Sequence, residues 1–501
     1  NKPFFKNILV NILDHIQESL QYLAPEGMLV LALLAVLFAD MFQATRKNAV
    51  FATLTIGCLP SVGVYVGYEL FDRNSIPNVE FMSNMLVQNP VILFSKLLLI
   101  ISGIIAIVFI QVSPSSQYLR ERGETYMLFL AILLGCFFLV ASVNLFMVFL
   151  SLELISVPSY MLVASRLDKK STEAGMKYLL YGAFATGVML FGISLIYGLT
   201  AGLDLFSERW ILAFAAIPVF SKWIVLGLVL AALFFKTSLF PFHPWTPDTY
   251  EGSSWGVLNI LSTLPKIAAF IFLMRISALF EGMQSYSILI AVIVGFSLLV
   301  GNFSALVQQN VRRLMAYSSI AQGGFIGMAL LGGGDLSQQS LIFYLVTYLF
   351  SVPVALFILD YFEHISKGDA VNNFKGFGKK EPIMSIIFVL VMATLIGLPP
   401  TAGFFAKIFV FTSVWQYYET IQSPILLGVI CVAVAGTVAS VFYYMKVPYF
   451  LFFKEFENTV ILTSKHKSSL VFVSLTMLPV VVLFFCPDRL MDLLKVIVAY
   501  I

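Results

Sequence analysis

The chain is built from long apolar runs, and its polar residues are gathered in the short segments between those runs. A run of about twenty apolar residues is long enough for a helix to cross the hydrocarbon core of a membrane. This pattern recurs about 14 times, and it predicts an all-α polytopic membrane protein. A β-barrel would instead alternate apolar and polar residues over short segments. The predicted transmembrane helices cover residues 27–43, 49–70, 90–112, 125–142, 143–165, 174–200, 222–250, 253–280, 287–307, 313–332, 338–361, 383–411, 423–445 and 468–486.

The seventh and twelfth predicted helices carry prolines in their interiors, which interrupt helical hydrogen bonding. Each also carries a lysine, in LFFKTSLFP around Lys236 and in LPPTAGFFAKIFVF around Lys407. Because these lysines lie 171 residues apart, a shift of that length places helices 4 to 8 on helices 9 to 13. Five is an odd number of crossings, so the pattern predicts two inverted five-helix repeats with broken helices 7 and 12, an arrangement typical of transporters.

This organisation divides the chain into four parts. Residues 1–122 are expected to form three N-terminal transmembrane helices, and residues 123–280 the first five-helix repeat. Residues 281–446 are expected to form the second, inverted repeat, and residues 447–501 to hold a C-terminal loop and helix 14.

Composition agrees with a membrane protein, because 59% of the 501 residues are hydrophobic and only 11% are charged. A soluble protein of this size needs a more charged surface, and nothing in the charge pattern suggests binding to nucleic acid. Of the Lys and Arg in or beside the loops, 18 lie in loops that follow odd-numbered helices. The other 8 lie in loops that follow even-numbered helices or in the two terminal segments. Positive residues favour the inner face, so both termini are expected on the outer, periplasmic side. The four cysteines lack the spacing of a metal or iron–sulfur site.

Three lysines interrupt the apolar runs far from either end, namely Lys236, Lys266 and Lys407. An ammonium group inside hydrocarbon costs roughly 2.5 kcal/mol or more, so residues of this kind usually have a function. Glu153, halfway along helix 5, is the natural partner for one of them. We interpret Glu153 and Lys236 as a pair whose coupling sets the proton affinity of the lysine, and the other two lysines as further steps of a proton relay. A purely structural ion pair is the alternative for Glu153.

Other titratable residues give weaker signals. His243 lies in the break of helix 7, where a role in capping the loop and a role in proton transfer weigh equally. Lys96 enters helix 3 only six residues from its start, so we expect it to snorkel to the membrane surface. Asp360 and His364 lie at the inner end of helix 11, where a solvated helix end is the simpler expectation and a proton entry point the alternative. Topology alone explains Arg312.

Several stretches around these residues carry specific motifs. They are ELISVPSYML at Glu153, AGMKYLLYGAFATGVMLFGISLIYG from Ala174, FKTSLFPFHPWTPDTYEG from Phe235, LPKIAAF at Lys266, VRRLMAYSSIAQGG from Val311 and GLPPTAGFFAKIFVF from Gly397. In these stretches, which span helices 5 to 12, the chain resembles the antiporter-like subunits of respiratory complex I. The pair HPWTPDTYEG and PPTAGFFAK is most similar to the subunit N family of NADH-quinone oxidoreductase.

The resemblance implies a proton-pumping subunit in the membrane arm of a proton-translocating NADH:quinone oxidoreductase. It implies that Glu153, Lys236, Lys266 and Lys407 conduct the protons. It also implies that this chain holds no redox cofactor and that NADH, FMN, iron–sulfur clusters and quinone are bound by partner subunits. The expected partners are the antiporter-like subunit M, the small membrane subunits next to subunit N, and lipids. The expected location is the bacterial inner membrane.

Two positions depart from the family pattern. After TYEG the family has a small, proline-containing turn, whereas this chain has SSWG at residues 253–256. In helix 10 a histidine commonly follows SSIA in the family. Here the residue is Gln322, which cannot exchange a proton at neutral pH, so a relay through it would need water. Three alternatives stay open: a subunit of a Mrp-type cation/proton antiporter, a subunit of a membrane-bound hydrogenase or formate-linked complex, and a non-conducting scaffold.

Overall fold

The computed structural model describes residues 19–42, 49–72, 79–455 and 467–500, and most of this part of the chain is helical. Helices α1 to α11 are Ala24–Phe42, Ala49–Asp72, Pro90–Val112, Gln117–Arg120, Gly123–Ala141, Leu145–Ala164, Lys169–Thr200, Glu208–Ala216, Val219–Val229, Ala231–Thr237 and Trp245–Gly252. Helices α12 to α21 are Trp255–Leu279, Gln284–Leu306, Val311–Met328, Gly334–Ser366, Phe377–Lys380, Pro382–Ile396, Ala402–Ile421, Pro424–Phe453, Lys467–Phe485 and Pro487–Val498. Short 3₁₀ turns cover Pro114–Ser116, Ala329–Leu331 and Val371–Phe374, and an antiparallel hairpin pairs β1 (Val79–Phe81) with β2 (Leu86–Gln88).

Twelve of the described helices are long and apolar enough to cross a membrane, and the bent pair of α9 and α10 brings the number to 13. The predicted helix 12 corresponds to two shorter helices, α17 and α18, which are separated by a break at residues 397–401. With 15 residues, α17 is too short to span the hydrocarbon core by itself. The fold is therefore an all-α polytopic membrane protein, as predicted, with fewer unbroken spans than the apolar pattern indicated.

The interior of the bundle is formed by α12, α14 and α15. In the most apolar stretch of α12 every residue is buried, and in α14 and α15 the buried fraction is 94%. The corresponding fraction is 28% in α1 and 39% in α7, whose large apolar side chains point outward. Since α12 carries Lys266, this arrangement puts a positive side chain at the centre of the bundle rather than against lipid.

Both proline-rich segments interrupt the helices that contain them. The axis bends by 46° between α9 and α10, and α10 ends at Ser238, which adopts a left-handed conformation with φ of 62°. Likewise α17 ends at Gly397, with φ of 88°, where the absence of a side chain removes the steric cost of that conformation. A helix end leaves its last carbonyl groups without partners in the same helix, so polar backbone is available beside Lys236 and Lys407. The relation between the two halves as inverted repeats, and the four-part division built on it, stay predictions.

Loops from distant parts of the chain meet at the two ends of the bundle. We define the basic end by the loops at residues 113–122, 165–168, 307–310 and 367–381, most of which carry Lys or Arg. The loops of the opposite end, residues 82–89, 142–144, 201–207 and 280–283, carry neither. At the basic end, Arg122 Nη1 donates to the Ser165 carbonyl oxygen at 3.1 Å. Asp168 caps α7 there by accepting from the backbone of Ser171 at 2.8 Å, and this hydrogen bond holds the pKa of Asp168 below its usual value.

Arg275 is a buried cation at the opposite end of the bundle, near the C-terminus of α12, and it is 4% exposed. Its Nη1 donates to the carbonyl oxygens of Val140 at 2.7 Å and Ser142 at 2.8 Å. These carbonyl groups lie at the C-terminus of α5, where the helix dipole favours a positive charge. Arg275 therefore fastens α5 to α12.

Candidate functional site

The three lysines of the apolar runs all lie inside the bundle. Lys236 in α10 is 3% exposed, Lys266 in α12 is 1% exposed, and Lys407 in α18 is 5% exposed. In the described part of the chain, each ammonium group is held by hydroxyl or carbonyl oxygens and by aromatic rings rather than by a carboxylate. The three lysine side chains therefore lie against protein, as expected of ionisable residues with a function in the membrane.

Lys236 lies among aromatic rings beside the first break. Its Nζ donates to the Tyr178 hydroxyl at 3.3 Å and lies 5.3 to 5.6 Å from the ring centres of Tyr160, Tyr178 and Phe235. Trp245 Nε1 donates to the Phe235 carbonyl oxygen at 3.1 Å, so α11 folds back onto α10 beside the lysine. Ring faces attract a cation, but one hydrogen bond solvates an ammonium group far less than water does. The free energy of the charged lysine is therefore sensitive to any further charge nearby.

Glu153 lies near these rings but does not contact the lysine directly. It is half-buried on α6, and its charge acts on both Lys236 and Tyr160. Among the described residues, the hydrogen-bond partner of the lysine is Tyr178, not Glu153. The rings of Tyr160 and Tyr178 pack edge to face with their centres 4.8 Å apart. The predicted pair is therefore not in direct contact in this structure, and its coupling stays a prediction.

Lys266 is fixed to α14 at the centre of the bundle. Its Nζ donates to the Ser319 carbonyl oxygen at 2.8 Å and to Ser319 Oγ at 2.7 Å. The Tyr250 hydroxyl donates to the same Oγ at 3.1 Å, and the Tyr348 ring centre lies 5.8 Å from the ammonium group. Ser319 therefore joins the lysine to a tyrosine hydroxyl, which is a chain of groups that can exchange protons.

Gly323 of α14 allows the surroundings of Lys236 and Lys266 to meet. A Cβ atom at this position would lie 3.8 Å from Lys266 Nζ and 3.0 Å from the carbonyl oxygen of Thr237, the residue that follows Lys236. A carbon atom at 3.0 Å from a carbonyl oxygen is too close for an unstrained contact. Glycine is therefore the residue that lets α14 lie against the end of α10.

Gln322 continues the polar chain toward the second break. Its Nε2 donates to the Tyr444 hydroxyl at 2.9 Å and to the Leu395 carbonyl oxygen at 2.8 Å, and its Oε1 accepts from the Tyr344 hydroxyl at 2.6 Å. Leu395 belongs to the last turn of α17, next to the break. Because an amide does not change its protonation state at neutral pH, Gln322 orients these groups and does not itself carry a proton.

A small cavity of about 10 Å³ lies beside Gln322 and beside Ser319, the hydrogen-bond partner of Lys266. This volume is about the lower limit for one water molecule. Hydroxyl groups and the Gln322 amide offer that water hydrogen bonds, which fits a water-linked step in the middle of the series. The cavity is lined by Tyr250, Met315, Ser318, Ser319, Gln322, Tyr348, Val352 and Leu356.

Lys407 lies at the second break. Its Nζ donates to the Ile396 carbonyl oxygen at 2.7 Å, and the Phe325 ring centre is 3.9 Å away. Ile396 is the last residue of α17, and the partial negative charge of a helix C-terminus favours an ammonium group. Gly403 lets α18 start against α17, because a Cβ atom there would overlap the carbonyl oxygen of Thr394.

His243 lies in the loop between α10 and α11 and is partly exposed. Its ring rests on Phe240 with centres 5.7 Å apart. Its Nδ1 is buried and has no hydrogen-bond partner in the described part of the chain. The structure therefore places His243 beside the first break but not in hydrogen-bond contact with the lysines, and a part in the relay stays a prediction.

The expectation that Lys96 snorkels to the membrane surface is wrong. Lys96 is fully buried in α3, where its Nζ forms an ion pair with Glu26 Oε1 at 2.7 Å and donates to Gln88 Oε1 at 3.4 Å. Glu26, at the start of α1, is also buried. A charge paired in this way no longer gains from reaching water. Both residues lie near the same end of two predicted helices, and that common level is the signal that could have revealed the pair.

The solvated helix end expected for Asp360 is also wrong. Asp360 is fully buried, and its Oδ2 accepts from Ser113 Oγ at 2.5 Å. One turn later, Glu363 accepts from Arg312 Nε at 3.0 Å and Nη2 at 2.7 Å, and from Trp255 Nε1 at 2.9 Å. The physical reason is that the 3₁₀ turn after α3 packs against this end of α15 and excludes water from it.

The chemistry available along the lysine series is proton transfer. Ammonium and hydroxyl groups exchange protons, whereas the Gln322 amide and the aromatic rings do not and only keep the ammonium and hydroxyl groups in position. In the described ranges of the chain, no group of three or more His, Cys, Asp or Glu side chains could hold a metal ion.

Comparison with known proteins identifies the family. Residues 142–435, more than half of the chain, match the family described as NADH:quinone oxidoreductase/Mrp antiporter, TM. The chain belongs to this family. It is 32% identical over 447 residues to NADH-quinone oxidoreductase subunit N 2 of Chloroherpeton thalassium, with 87% of this chain and 85% of the relative covered. It is 33% identical over 443 residues to NAD(P)H-quinone oxidoreductase subunit 2 of Synechocystis sp., with 86% and 82% covered.

Solved structures of this antiporter-like architecture superpose on the chain. A chain of respiratory complex I from Thermus thermophilus with bound aureothin has a TM-score of 0.77 at 27% identity, covering 93% of this chain and 98% of that chain. A chain of the archaeal membrane-bound sulfane sulfur reductase has a TM-score of 0.82 at 20% identity, with 96% and 97% covered. A chain of the Mrp complex from Dietzia sp. has a TM-score of 0.77 at 20% identity, with 94% and 52% covered. The last two show the fold alone.

Proposed function

We propose that this chain is the proton-translocating, antiporter-like subunit N of an NADH:quinone oxidoreductase. The observation that carries the proposal is the buried series of Lys236, Lys266 and Lys407 in a chain of this family. Ionisable residues that face the interior of a membrane bundle mark ion and proton paths. The 32% identity to a relative named subunit N supports the assignment to this complex.

In the proposed mechanism, reduction of quinone in another subunit changes the conformation or the charge of a neighbour of this chain. The change weakens the attraction of the Glu153 charge for Lys236, and the lysine then releases its proton because desolvation disfavours its charged form. The proton moves toward Lys266, where the Ser319 hydroxyl and the adjoining cavity provide the next groups. Transfer continues to Lys407, and a proton from the inner face restores the starting state.

Several supporting parts of the assembly belong to this proposal. This chain acts as a non-redox subunit of the translocase, while NADH, FMN, iron–sulfur clusters and quinone are bound by partner subunits. Its partners are other membrane-arm subunits, including the antiporter-like subunit M and the small subunits next to subunit N. The location is the bacterial inner membrane, with both termini on the periplasmic side, which the distribution of Lys and Arg between the two ends of the bundle supports.

A subunit of a cation/proton antiporter is the second candidate function. The fold likeness to the Mrp complex from Dietzia sp. favours it, although the identity is 20%. The native assembly distinguishes the two candidates. Flavin and iron–sulfur absorbance in the purified complex supports the first, and a complex that exchanges Na⁺ for H⁺ without these chromophores supports the second.

Replacement of Lys236 tests the central step. In the assembled complex, Lys236→Met removes the proton carrier and keeps a side chain of similar length, so fewer protons should cross per NADH oxidised. Lys222→Met is the matched control, because Lys222 lies in α9 at the other end of the same broken helix and its Nζ donates to the Ala215 carbonyl oxygen at 2.8 Å. Undiminished pumping per NADH in Lys236→Met would refute the role of Lys236.

A further inference from the structure

The basic end of the bundle contains buried polar groups that the lysine series does not use. Asp360, Ser113 and Ser116 are all fully buried. Ser113 Oγ donates to Asp360 Oδ2 at 2.5 Å and lies 2.8 Å from Ser116 Oγ. Asp360 belongs to α15, and the serines belong to the turn after α3, so residues distant in sequence form a chain of two hydroxyl groups that ends on a carboxyl group.

Asp360 lacks the partners that a buried carboxylate needs. Its Oδ1 has no hydrogen-bond donor among the described residues. Arg312 is a cation near Asp360, but its donors are used elsewhere. Its Nε and Nη2 donate to Glu363, and its Nη1 donates to the Ser253 carbonyl oxygen. An ionised carboxyl group with one donor is costly in such a place, whereas a protonated one is neutral and is itself a donor. The site is therefore suited to holding a proton.

The hydroxyl chain runs from Asp360 to Ser116, which is itself fully buried. Ser116 is followed by Gln117, which is exposed. Ser116 Oγ lies 2.9 Å from the position that a Cβ atom on Gly256 would take. The lack of a side chain at Gly256, the last residue of SSWG, therefore lets its backbone approach the serine. The neighbouring Ser115 Oγ is buried close to Asp360, and in the described part of the chain it makes no hydrogen bond of normal geometry. Unpartnered buried hydroxyl groups mark positions for ordered water.

Polar groups also lead from Asp360 toward Lys266. Asn259 lies on α12 seven residues before Lys266, which is about two helical turns and the same face of the helix. It is 1% exposed, and neither its Nδ2 nor its Oδ1 has a partner among the described residues. On α15, Leu356 lies one turn before Asp360 and lines the cavity that Ser319 also lines. A buried amide without partners among the described residues therefore lies on the helix that carries Lys266, and the helix that carries Asp360 lines a cavity of about 10 Å³.

We propose that Asp360 is a proton-loading residue, filled from the basic end through Ser116 and Ser113 and emptied toward Lys266. The proposal rests on the proposed function and adds a carrier outside the lysine series. A hydronium ion that reaches the buried Ser116 from the basic end gives it a proton and becomes water, Ser116 passes its own hydrogen to Ser113, and Ser113 passes its hydrogen to Asp360 Oδ2. Each O–H bond that breaks is matched by one that forms, so both hydroxyl groups are restored and Asp360 becomes a neutral acid. Transfer to water beside Asn259 returns it to the carboxylate.

Asp360→Asn separates proton loading from a purely structural role. The same hydrogen bond could serve only to fasten the turn at residues 113–116 to α15. Asparagine keeps an oxygen that accepts from Ser113 but cannot take up a proton. If the contact is structural, Asp360→Asn leaves proton transfer unchanged, and if Asp360 carries protons, the variant slows it.

The experiment uses the assembled complex in sealed vesicles, with NADH-driven proton transfer as the readout. We expect fewer protons per NADH in Asp360→Asn than in the wild type, and recovery in Asp360→Glu. Ser351→Ala is the matched control, because Ser351 is a buried hydroxyl on the same helix that donates to the Tyr348 carbonyl oxygen at 3.4 Å. Full proton transfer in Asp360→Asn would overturn the proposal. Should that variant not assemble, full rates in both Ser113→Ala and Ser116→Ala would overturn it as well.

Infrared difference spectra of the complex before and after NADH addition give a second readout that a structural role would not produce. We expect a carbonyl band of a protonated carboxyl group that changes during turnover and disappears in Asp360→Asn. A spectrum identical in the wild type and the variant counts against Asp360. If Lys236→Met also pumps normally, the proposed function itself is wrong, whereas loss in Lys236→Met with normal Asp360→Asn rejects the Asp360 proposal alone.

Discussion

Buried positive charges in this bundle are held in two different ways. Lys96 is paired with the Glu26 carboxylate at 2.7 Å, whereas Lys236, Lys266 and Lys407 are held by hydroxyl or carbonyl oxygens and rings. A paired charge is stabilised by its partner, and this stabilisation is lost when the partner is removed. A cation without a carboxylate in contact responds more strongly to distant charges, which suits a group that takes up and releases a proton.

This contrast predicts a stability defect at Lys96. Lys96→Met leaves Glu26 buried without its cation, and the expected cost is about 3–5 kcal/mol of folding stability. Thermal denaturation of the purified complex in detergent, followed through loss of this subunit, measures the effect.

The double variant Glu26→Gln with Lys96→Met is the control for that prediction. It removes both charges, so we expect it to be more stable than Lys96→Met alone. Equal stability of the single and double variants would show that the ion pair is not the cause.

At the residue scale, the sequence predicted the positions of the three lysines better than it predicted which residues the buried charged side chains contact. Lys236, Lys266 and Lys407 stand out because each interrupts an apolar run. The burial of Lys96 and Asp360 depends on which helices pack beside them, and the apolar pattern of one helix does not contain that information. The hydroxyl partners of Asp360 come from a turn that lies 247 residues away in the sequence.

Among the helices, the second break is shaped by two residues that lack side chains. Gly397 ends α17 in a left-handed conformation, and Gly403 lets α18 start against the carbonyl oxygen of Thr394. This close approach allows Lys407 to reach the last carbonyl group of α17. The helix end and the lysine therefore form one unit.

This close approach predicts the effect of a single methyl group. Gly403→Ala would push α18 away from α17, and overpacking of this kind costs about 1–3 kcal/mol. We expect reduced thermal stability and fewer protons per NADH, because Lys407 loses its carbonyl partner. Gly428→Ala in α19 is the control, since a Cβ atom there has no neighbour within 4 Å among the described residues. Normal pumping in Gly403→Ala would contradict this account of the break.

The helices were largely predictable from the sequence, because a run of apolar residues in lipid has few other structures to adopt. The third predicted helix, residues 90–112, coincides with α3. The least accurate predictions were the two helices with internal prolines, since the structure divides helix 7 among α9, α10 and α11, and helix 12 between α17 and α18. The prolines indicated a break there, but the conformation of Gly397 depends on local geometry that composition does not specify.

Over the part of the molecule that the structure describes, most loops of the basic end carry Lys or Arg, whereas the opposite-end loops at residues 82–89, 142–144, 201–207 and 280–283 carry neither, and this asymmetry predicts the orientation in the membrane. The C-terminal helix α21 lies at the opposite end, where Asn89 Nδ2 donates to the Tyr500 carbonyl oxygen at 3.3 Å. That end should therefore face the periplasm.

Cys486 provides a test of this orientation. It is exposed and immediately precedes α21, so a membrane-impermeant maleimide added from the outer side should label it. Cys136 is buried and should stay unlabelled from either side. Cys486→Ser identifies the labelled residue. Labelling of Cys486 only from the inner side would reverse the proposed orientation.

The surroundings of Lys236 also bear on which ion this part of the molecule can conduct. A metal cation that leaves water needs several oxygen atoms to replace its hydration shell. Around this lysine, the described residues provide ring faces and the Tyr178 hydroxyl. A sodium ion in the position of this ammonium group would find one hydroxyl oxygen, whereas a hydrogen ion needs only the lone pair of the amine, so the Lys236 step should favour protons over alkali metals.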